Sequence, residues 1–487
     1  MKFDSKSSQI ATIGTAAGSI LVAGALILRR WLRSRKTPPT LSCGLPLVGP
    51  IVQFLKSPLE LIEIGYKKHG ECFKEDHVHG EEVDLRGELF FTQDKYLDQA
   101  KLYSFSVPVF GPKVLYDTDY STRMCQLRFI RERLTDDCLS GYTATLEAEV
   151  RQFFAEEWPG DGGVVDIRKS MVEALTRTSV RCLMGEELRS KMHAKAPGGK
   201  SVCELLNMLE HGMLPLSVFL PHLPIPRHRQ RDWARREMTA FFEPILKDRR
   251  RRLAAGESPE EDFLWKVMTA KYPDGREVTD EEVVGFLIAA FFGGMHNSSI
   301  TTTWSTLEIF TRPSLVKELI DEQTATLGGV HAPFTYDSYE RMKKMRSTVM
   351  ETLRMHPPLM MLFRTVEEDL TFKNYTIPRG SAVAVSPSVA GTLEESYAQP
   401  SAFKPFRFVD GVKDEFAYIP FGAGRRLCKG QEFGFLQIQC VLSHMLRHYD
   451  VVALDGVTQP TCDGMVVAPM QPCRVQYRRK RTATATA

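Results

Sequence analysis

The sequence predicts a mainly α-helical catalytic domain with small β-sheets, preceded by one transmembrane helix. Helical periodicity dominates the chain, and the apolar runs with strand character are short. The clearest helical segments are Glu281–Phe310, Met342–His356 and Gln431–Tyr449. The strand-like runs are Val83–Phe91, Leu370–Val383 and Met465–Tyr477. No internal repeat and no clear break divides this part, which indicates a single large domain.

The composition excludes several classes of protein. Of the 487 residues, 43% are hydrophobic and 25% are charged, which is ordinary for a globular protein and excludes wholesale disorder, collagen-like repeats and many membrane spans. The net charge is only +3, too small to indicate nucleic-acid binding. Residues 1–36 hold seven basic residues and one acid, so the rest of the chain is slightly acidic. We therefore expect no nucleic-acid partner.

The N-terminal region has the pattern of a membrane anchor. Ile10–Leu28 carries no charge, and at ~1.5 Å per residue a helix of this length spans about 28 Å, close to a bilayer core. A cleaved signal peptide is the alternative, but its basic residues would precede the apolar run, whereas here they follow it. That arrangement places the C-terminal bulk in the cytosol. We expect an anchor at 1–36, a Pro/Gly linker at 37–50, a catalytic domain at 51–481 and a tail at 482–487.

One of the ten cysteines stands out. The cysteines are scattered without a CxxC pair, which favours reduced thiols over disulfides or zinc sites. Cys428, however, ends a glycine-rich loop directly before a predicted helix, a position whose backbone N–H groups favour a thiolate. Glycines in such a loop allow the backbone to lie flat against a planar ligand. Thiolate ligation of a haem iron favours O–O cleavage, and Arg426 is placed to meet a haem propionate.

This loop resembles the haem-binding loop of the cytochrome P-450 monooxygenases. Glu351 and Arg354 match the ExxR pattern of that family, and at i, i+3 they share one helix face and can pair. The family completes this pair with a later arginine, here Arg407. The resemblance implies that these three residues form a buried structural scaffold beneath the haem.

The long predicted helix is similar to that of the sterol 14α-demethylases. Gly293 and Gly294 cost about 1 kcal/mol each in a helix interior, which indicates a local opening. His296 follows; on an isolated helix it would be interpreted as an ordinary core histidine. The pattern of that branch, Ala/Gly-Gly-x-His-Thr-Ser-Ser, favours a functional role instead. The likeness covers roughly residues 45–480 and includes Tyr103–Gly111, Val114–Asp117, Pro357–Arg364 and Met465–Val467.

The resemblance assigns roles to four groups of residues. The haem propionates would be held by Tyr103, Tyr116, Arg364 and Arg426. The haem would lie against a loop that contains Phe421, Gly422, Gly424, Cys428 and Gly430, with Cys428 as the iron ligand. Protons would pass His296, Asn297 and Ser298. A sterol cavity would be lined by Phe105, Phe110, Leu127, Ala290, Phe291, Leu359, Met361, Met465 and Val466, each of which, taken alone, would be interpreted as ordinary core.

Two positions depart from the pattern of that branch. Asn297 stands where a threonine should follow the histidine; an amide cannot ionise, although it donates and accepts hydrogen bonds. Lost proton delivery typically costs about 10²–10⁴-fold in rate. Met124 stands four residues after Tyr120, where an arginine would help to bind haem, and Arg123 beside it is a possible substitute.

The resemblance implies a monomeric enzyme with haem b, anchored in the endoplasmic reticulum membrane by a single span, with its catalytic domain in the cytosol. It would oxidise a sterol with O₂ and electrons from NADPH through a flavoprotein reductase, removing the 14α-methyl group. A phenylalanine at the place of Phe105 accompanies substrates with a single C4 methyl in that branch. Three alternatives stay open: oxidation of another position such as a C4 methyl, a haem-thiolate isomerase or dehydratase, and a sterol-binding haem protein without turnover.

Overall fold

The structure is a computed structural model that describes residues 38–41, 57–70, 72–75, 82–84, 87–257, 262–461 and 466–481. The expected anchor at 1–36, most of the linker, the tail and Met465 lie outside the described residues. The chain divides into two compact units. The smaller takes its described residues from the chain before Leu85, from Lys95–Leu97 and from Arg364–Ala384; the larger contains the rest.

Short strands form four small sheets. In chain order the strands are β1 Thr40–Leu41, β2 Cys72–Glu75, β3 Glu82–Asp84, β4 Leu97–Asp98, β5 Gly162–Asp166, β6 Leu362–Val366, β7 Leu370–Phe372, β8 Tyr375–Ile377, β9 Ala382–Val385, β10 Tyr449–Ala453, β11 Pro460–Thr461, β12 Ala468–Pro469 and β13 Arg474–Arg479. The largest sheet has the order β1-β2-β3-β9-β6-β4, with β1 parallel to β2 and Val83 paired with Ala384 in the parallel β3–β9 ladder. In the larger unit β13 lies antiparallel between β10 and β5. Two antiparallel pairs, β7–β8 and β11–β12, complete the sheets.

Helices make up most of the larger unit. In chain order they are α1 Pro58–His69, α2 Glu88–Thr92, α3 Val107–Phe110, α4 Tyr120–Arg131, α5 Asp136–Glu157, α6 Ile167–Ser179, α7 Gly185–Lys191, α8 Val202–His211, α9 Pro215–Phe219, α10 Pro226–Ala254, α11 Phe263–Met268, α12 Asp280–Phe291, α13 Asn297–Phe310, α14 Pro313–Leu327, α15 Tyr336–Arg341, α16 Lys343–Met355, α17 Pro387–Ala390 and α18 Gln431–His448. Of these helices of the described residues, α1 belongs to the smaller unit and the others to the larger one. The fold class expected from the sequence, mainly α with small sheets, is confirmed.

The central element of the core is one long, interrupted helix. It begins at a capping box, in which Glu282 N–H donates to Thr279 Oγ1 (3.3 Å) and Thr279 N–H donates to Glu282 Oε2 (2.8 Å). It runs through α12, a single π-helical stretch at Phe292–His296, and α13. Within the described residues this is the one helix long and apolar enough to cross a membrane, but 72% of its most apolar window is buried inside the protein, as in the core helix of a globular fold.

The predicted elements are largely present, with one error. The three strong helices are found within one residue of their expected ends, and Leu370–Val383 forms β7, β8 and the start of β9. The strand predicted over Val83–Phe91 is wrong in its second half, because α2 occupies Glu88–Thr92. Gly87, in the left-handed conformation at φ 71°, turns the chain there, and a short apolar run alone cannot distinguish a strand from a buried helix.

Candidate functional site

The loop before α18 closes on itself. Cys428 N–H donates to the Phe421 carbonyl (2.9 Å), and Leu427 N–H donates to that of Gly424 (3.2 Å). Gly422 and Gly424 have φ values of 77° and 64°, which only glycine adopts without strain. The loop is therefore a tight backbone cradle that ends at the cysteine, as the glycine spacing predicts.

The Cys428 side chain is exposed at the end of this loop. Burial by the surrounding protein raises the pKa of the Cys428 thiol, against the lowering effects of the Gly430 N–H and Lys429. Coordination to a metal deprotonates a thiol outright, so iron ligation would supply the thiolate at this position.

Asp94 holds the turn that precedes the cysteine. Its Oδ1 accepts from Arg426 Nη1 at 2.6 Å, and its Oδ2 accepts from the Arg425 backbone N–H at 3.3 Å. The Arg426 side chain is 4% exposed. Sequence analysis missed Asp94, which lies 332 residues before Arg426 and carries no local signal.

The two tyrosines expected at the haem propionates lie together. Their rings stack with centroids 4.9 Å apart, and the Tyr103 ring also stacks on Phe105 at 5.8 Å. The Tyr103 hydroxyl accepts from the Phe363 N–H at 3.4 Å, so its own proton is available to a carboxylate. Arg364, the remaining expected contact, is buried on β6 and belongs to the smaller unit.

Arg123 is a deeply buried cation that is linked to Arg426 through Asp98. It is 1% exposed, and its Nη2 donates to Asp98 Oδ1 at 2.6 Å. Its Nε and Nη1 have no hydrogen-bond partner among the described residues. Asp98 also lies 3.7 Å from Arg426 Nη2, so one carboxylate connects the two arginines. Arg123 thus has the free donors that the neighbouring Met124 lacks.

The ExxR residues form a buried ionic cluster. Glu351 is fully buried and accepts from Arg354 Nε (2.8 Å) and from Arg407 Nε (3.0 Å). It also accepts from the Lys404 N–H at 2.8 Å. The pairing expected from the resemblance is present.

A stripe of accessible residues runs along the otherwise buried central helix. Ala290 and Asn297 are half-buried and Gly293 is exposed, so accessibility returns once per turn on one face. A Cβ atom added to Gly293 would meet nothing within 4 Å in the described part of the chain. Ser298 is buried, and its hydroxyl lies 3.5 Å from where a Cβ on Gly434 of α18 would stand. The central helix therefore borders open space at its π-helical stretch.

His296 faces away from this stripe. Its Nε2 lies 3.1 Å from Glu210 Oε1 on α8, at an ion-pair distance but without hydrogen-bond angles. Burial lowers the pKa of His296, and Glu210 acts in the opposite direction. Glu210 is a second residue that sequence analysis did not single out.

Gln437 connects α18 to the π-helical stretch. Two oxygens 3.2 Å apart would repel, so the amide is oriented with its nitrogen donating to the Gly294 carbonyl and its oxygen accepting from Thr178 Oγ1 (3.0 Å) and Ser179 Oγ (2.9 Å). Gln437 is fully buried. The sequence analysis did not single out Gln437, although a polar residue on the apolar face of a predicted helix indicates a buried hydrogen-bonding role.

The apolar residues expected around a sterol occupy different environments. Phe110 packs edge-on against Phe292, with ring centroids 5.9 Å apart. Phe291 is 2% exposed, and its ring faces Phe242 of α10 at 6.4 Å. Leu127, Leu359 and Val466 are half-buried, whereas Phe105 and Met361 are buried. Met465 lies outside the described residues, and a role in substrate binding stays a prediction for all of these residues.

The residues fit a thiolate-bound haem. The accessible sulfur of Cys428 offers an iron ligand, and the stripe at Gly293 offers open space. Arg123 has orphaned, buried donors, and Tyr103 has a free hydroxyl proton, both suited to carboxylates.

Comparisons with known proteins agree with this geometry. The profile of the cytochrome P-450 family matches residues 38–477. The chain is 35% identical to a sterol 14-demethylase of Arabidopsis thaliana, over 99% of this chain and 100% of that protein. It is 34% identical to an obtusifoliol 14-alpha demethylase of Triticum aestivum (92% and 99%) and 32% identical to the lanosterol 14-alpha demethylase of Homo sapiens (91% and 87%).

A solved structure described as retinoic acid-bound cyanobacterial CYP120A1 shares the fold, with a TM-score of 0.77 and 20% identity over 91% of this chain and 99% of that one. The resemblance seen in the sequence is confirmed, at an identity that marks a divergent member. The family implies a thiolate-ligated haem iron that receives electrons from a redox partner. The chain belongs to the cytochrome P-450 family and is a haem-dependent monooxygenase.

Proposed function

We propose that the protein is a sterol 14α-demethylase in which Cys428 is the haem thiolate. The observation that carries this proposal is the accessible stripe at Ala290, Gly293 and Asn297, together with the buried His296, which pairs with the half-buried Glu210 on the other side of the helix. Open space beside a protonatable pair is what an oxygen-activating site requires. The printed names of three relatives, all 14-demethylases, support the sterol as substrate.

The haem, when bound, supplies O₂ activation with electrons from an NADPH-dependent flavoprotein reductase. Tyr103, Tyr116, Arg364 and Arg426 hold its propionates, and Arg123 takes the part of the arginine missing at Met124. The loop residues Phe421, Gly422, Gly424 and Gly430 shape the backbone around it. The scaffold of Glu351, Arg354 and Arg407 supports the loop from the buried side.

His296 and Glu210 form the protonatable part of the proton path. Glu210 is 19% exposed at its side chain and so connects the buried imidazole to solvent. Asn297, half-buried on the accessible stripe, holds a water by hydrogen bonds instead of passing a proton through its own side chain. Ser298, buried next to α18, provides the neighbouring hydroxyl.

The sterol occupies an apolar cavity next to the stripe. Phe110 and Met361 are aromatic and thioether surfaces suited to a sterol, in keeping with the mostly apolar lining of such pockets. The cavity also includes Phe105, Leu127, Ala290, Phe291, Leu359, Met465 and Val466. Because Phe105 stacks on Tyr103, it lies at the junction of this cavity and the haem site.

Reconstitution with the reductase and a panel of 14-methyl sterols tests the reaction. We expect sterol-dependent NADPH consumption and a product that has lost its 14α-methyl group, identified by mass spectrometry. Absence of sterol-dependent NADPH consumption would contradict this proposal and favour an isomerase, a dehydratase or a binding protein. The matched inactive control is Cys428→Ser.

Oxidation of a C4 methyl is the second candidate, and Asn297 is the observation that favours it. The variant Asn297→Thr restores the pattern of the relatives. If Asn297 limits proton delivery in a 14-demethylase, this variant should demethylate faster than the wild type. The increase should not exceed the about 10²–10⁴-fold that general acid–base catalysis contributes. An unchanged rate would show that the relay does not run through this side chain, and a 4-hydroxymethyl product would establish the second candidate.

The protein acts as a monomer anchored by residues 1–36 in the endoplasmic reticulum membrane, with residues 51–481 in the cytosol as the catalytic domain. The apolar run Ile10–Leu28 and the basic residues after it support this topology. Protease digestion of microsomes that contain the full chain tests it. Protection of the catalytic domain without detergent would contradict it.

A further inference from the structure

Asp94 is a buried carboxylate whose closest side-chain contacts are with the cysteine loop, at Arg425 and Arg426. The haem site proposed above does not assign it a role. Asp94 is 8% exposed and lies in the short turn after α2. One of its oxygens binds the Arg426 guanidinium and the other binds the backbone N–H of Arg425. A single side chain therefore fixes both the rotamer of Arg426 and the backbone at Arg425, three residues before Cys428.

Gly424 makes this contact possible. A Cβ atom at Gly424 would lie 3.1 Å from Asp94 Cγ and 3.1 Å from the Phe90 carbonyl oxygen, so any side chain here would push Asp94 or Phe90 away by a few tenths of an ångström. Its φ of 64° also disfavours any other residue. The close approach of the loop to Asp94 thus depends on a glycine at this position.

The charge of Asp94 distinguishes it from an ordinary turn residue. Arg426 is the arginine proposed to face a propionate, so Asp94 and the propionate compete for one guanidinium. Asp98 lies farther from Arg426, at 3.7 Å, and is engaged by Arg123 at 2.6 Å. Of these two carboxylates, Asp94 is the closer to Arg426. A negative charge near the iron opposes the addition of an electron, because reduction makes the haem more negative.

We propose that Asp94 is a positioning residue of the cysteine loop that shares Arg426 with a haem propionate and thereby lowers the reduction potential of the haem iron. This inference rests on the proposed haem site at Cys428 and does not depend on which sterol is oxidised. A lower reduction potential would make electron transfer from the redox partner to the haem iron less favourable.

Potentiometric titration of the purified full-length haem protein tests this inference. The variant Asp94→Asn keeps the shape and one acceptor but removes the charge, and we expect its midpoint potential to rise. Asp94→Glu keeps the charge and should stay close to the wild type. The exposed Glu394→Gln is the matched control for loss of one carboxylate and should leave the potential unchanged.

A double-mutant cycle shows whether Asp94 acts through Arg426. In an Arg426→Gln background, Asp94→Asn should raise the potential less than it does in the wild type. Equal rises in both backgrounds, or no rise in either, would overturn the proposal. Loss of haem or of the thiolate signature in the ferrous–CO spectrum of Asp94→Asn would assign Asp94 a purely structural role and would overturn it as well. None of these readouts requires a sterol, so failure of the proposed reaction is recognised separately.

Discussion

Two irregular regions of the larger unit are held in place by different physical means. The cysteine loop is held by charge: Arg426 is bound by Asp94, and Glu432 in the first turn of α18 accepts from Arg346 of α16 at 2.7 and 2.9 Å. The π-helical stretch Phe292–His296 accepts a hydrogen bond from the neutral amide of Gln437 at Gly294, and its one protonatable side chain, His296, lies 3.1 Å from Glu210. The stretch therefore depends less on ion pairs than the cysteine loop does.

This difference has an energetic consequence. Removing one partner of a buried ion pair leaves an uncompensated charge in the interior, while removing a neutral hydrogen-bonding group leaves only its partners unsatisfied. Single substitutions should therefore lower the free energy of unfolding more in a buried ion pair, such as the Glu351 cluster, than at the π-helical stretch.

The largest expected effect is at Glu351. Glu351→Gln leaves the guanidiniums of Arg354 and Arg407 without their carboxylate, and we expect the free energy of unfolding to fall by about 3–5 kcal/mol. Urea unfolding followed by circular dichroism measures this loss, with the exposed Glu394→Gln as control. A loss no larger than that of the control would show that the buried cluster is not held by charge.

A smaller effect is expected at Gln437. Gln437→Leu leaves Thr178, Ser179 and the Gly294 carbonyl without their partner, which should cost about 1–3 kcal/mol. Gln437→Glu keeps the acceptor for the two hydroxyls but places an unpaired carboxylate at a fully buried position facing the Gly294 carbonyl, so it should cost more than Gln437→Leu. Thermal unfolding of both variants tests this. If Gln437→Leu lowers the free energy of unfolding as much as Glu351→Gln does, the predicted difference between buried ion pairs and neutral hydrogen bonds is wrong.

The smallest effect is a dependence on pH at the far end of α18. Burial, together with neighbouring cationic side chains, lowers the pKa of His448 to about 4 from its usual value of about 6.5. Between these two values the unfolded chain binds a proton that the folded chain does not, so stability is lost as the pH falls from about 6.5 toward about 4.

The melting temperature of His448→Gln should therefore decrease less between pH 7.5 and pH 5 than that of the wild type. His222→Gln, at an exposed histidine, is the control. Parallel pH profiles for the wild type and His448→Gln would contradict this assignment.

Features with a local signature were predictable from the sequence. Glu351 and Arg354 are three residues apart on one helix, and the local opening at Gly293 and Gly294 was indicated by the helix propensity of glycine. Asp94 and Glu210 were not predictable, because an ion pair between distant segments exists only after the chain has folded. The strand predicted at Val83–Phe91 failed for a related reason: Leu89 and Phe90 are buried equally well on a helix.

Gly293 has a consequence for protein engineering. Replacing a glycine inside a helix by alanine usually adds about 1 kcal/mol of stability, and at Gly293 the added methyl group would meet no neighbour. A search for stabilising substitutions would therefore select this position early. The methyl group would, however, project into the open space beside the proposed proton path, so a more stable protein would have less room at its proposed oxygen-activating site. Directed evolution for thermostability and for the acceptance of bulkier substrates should pull this residue in opposite directions.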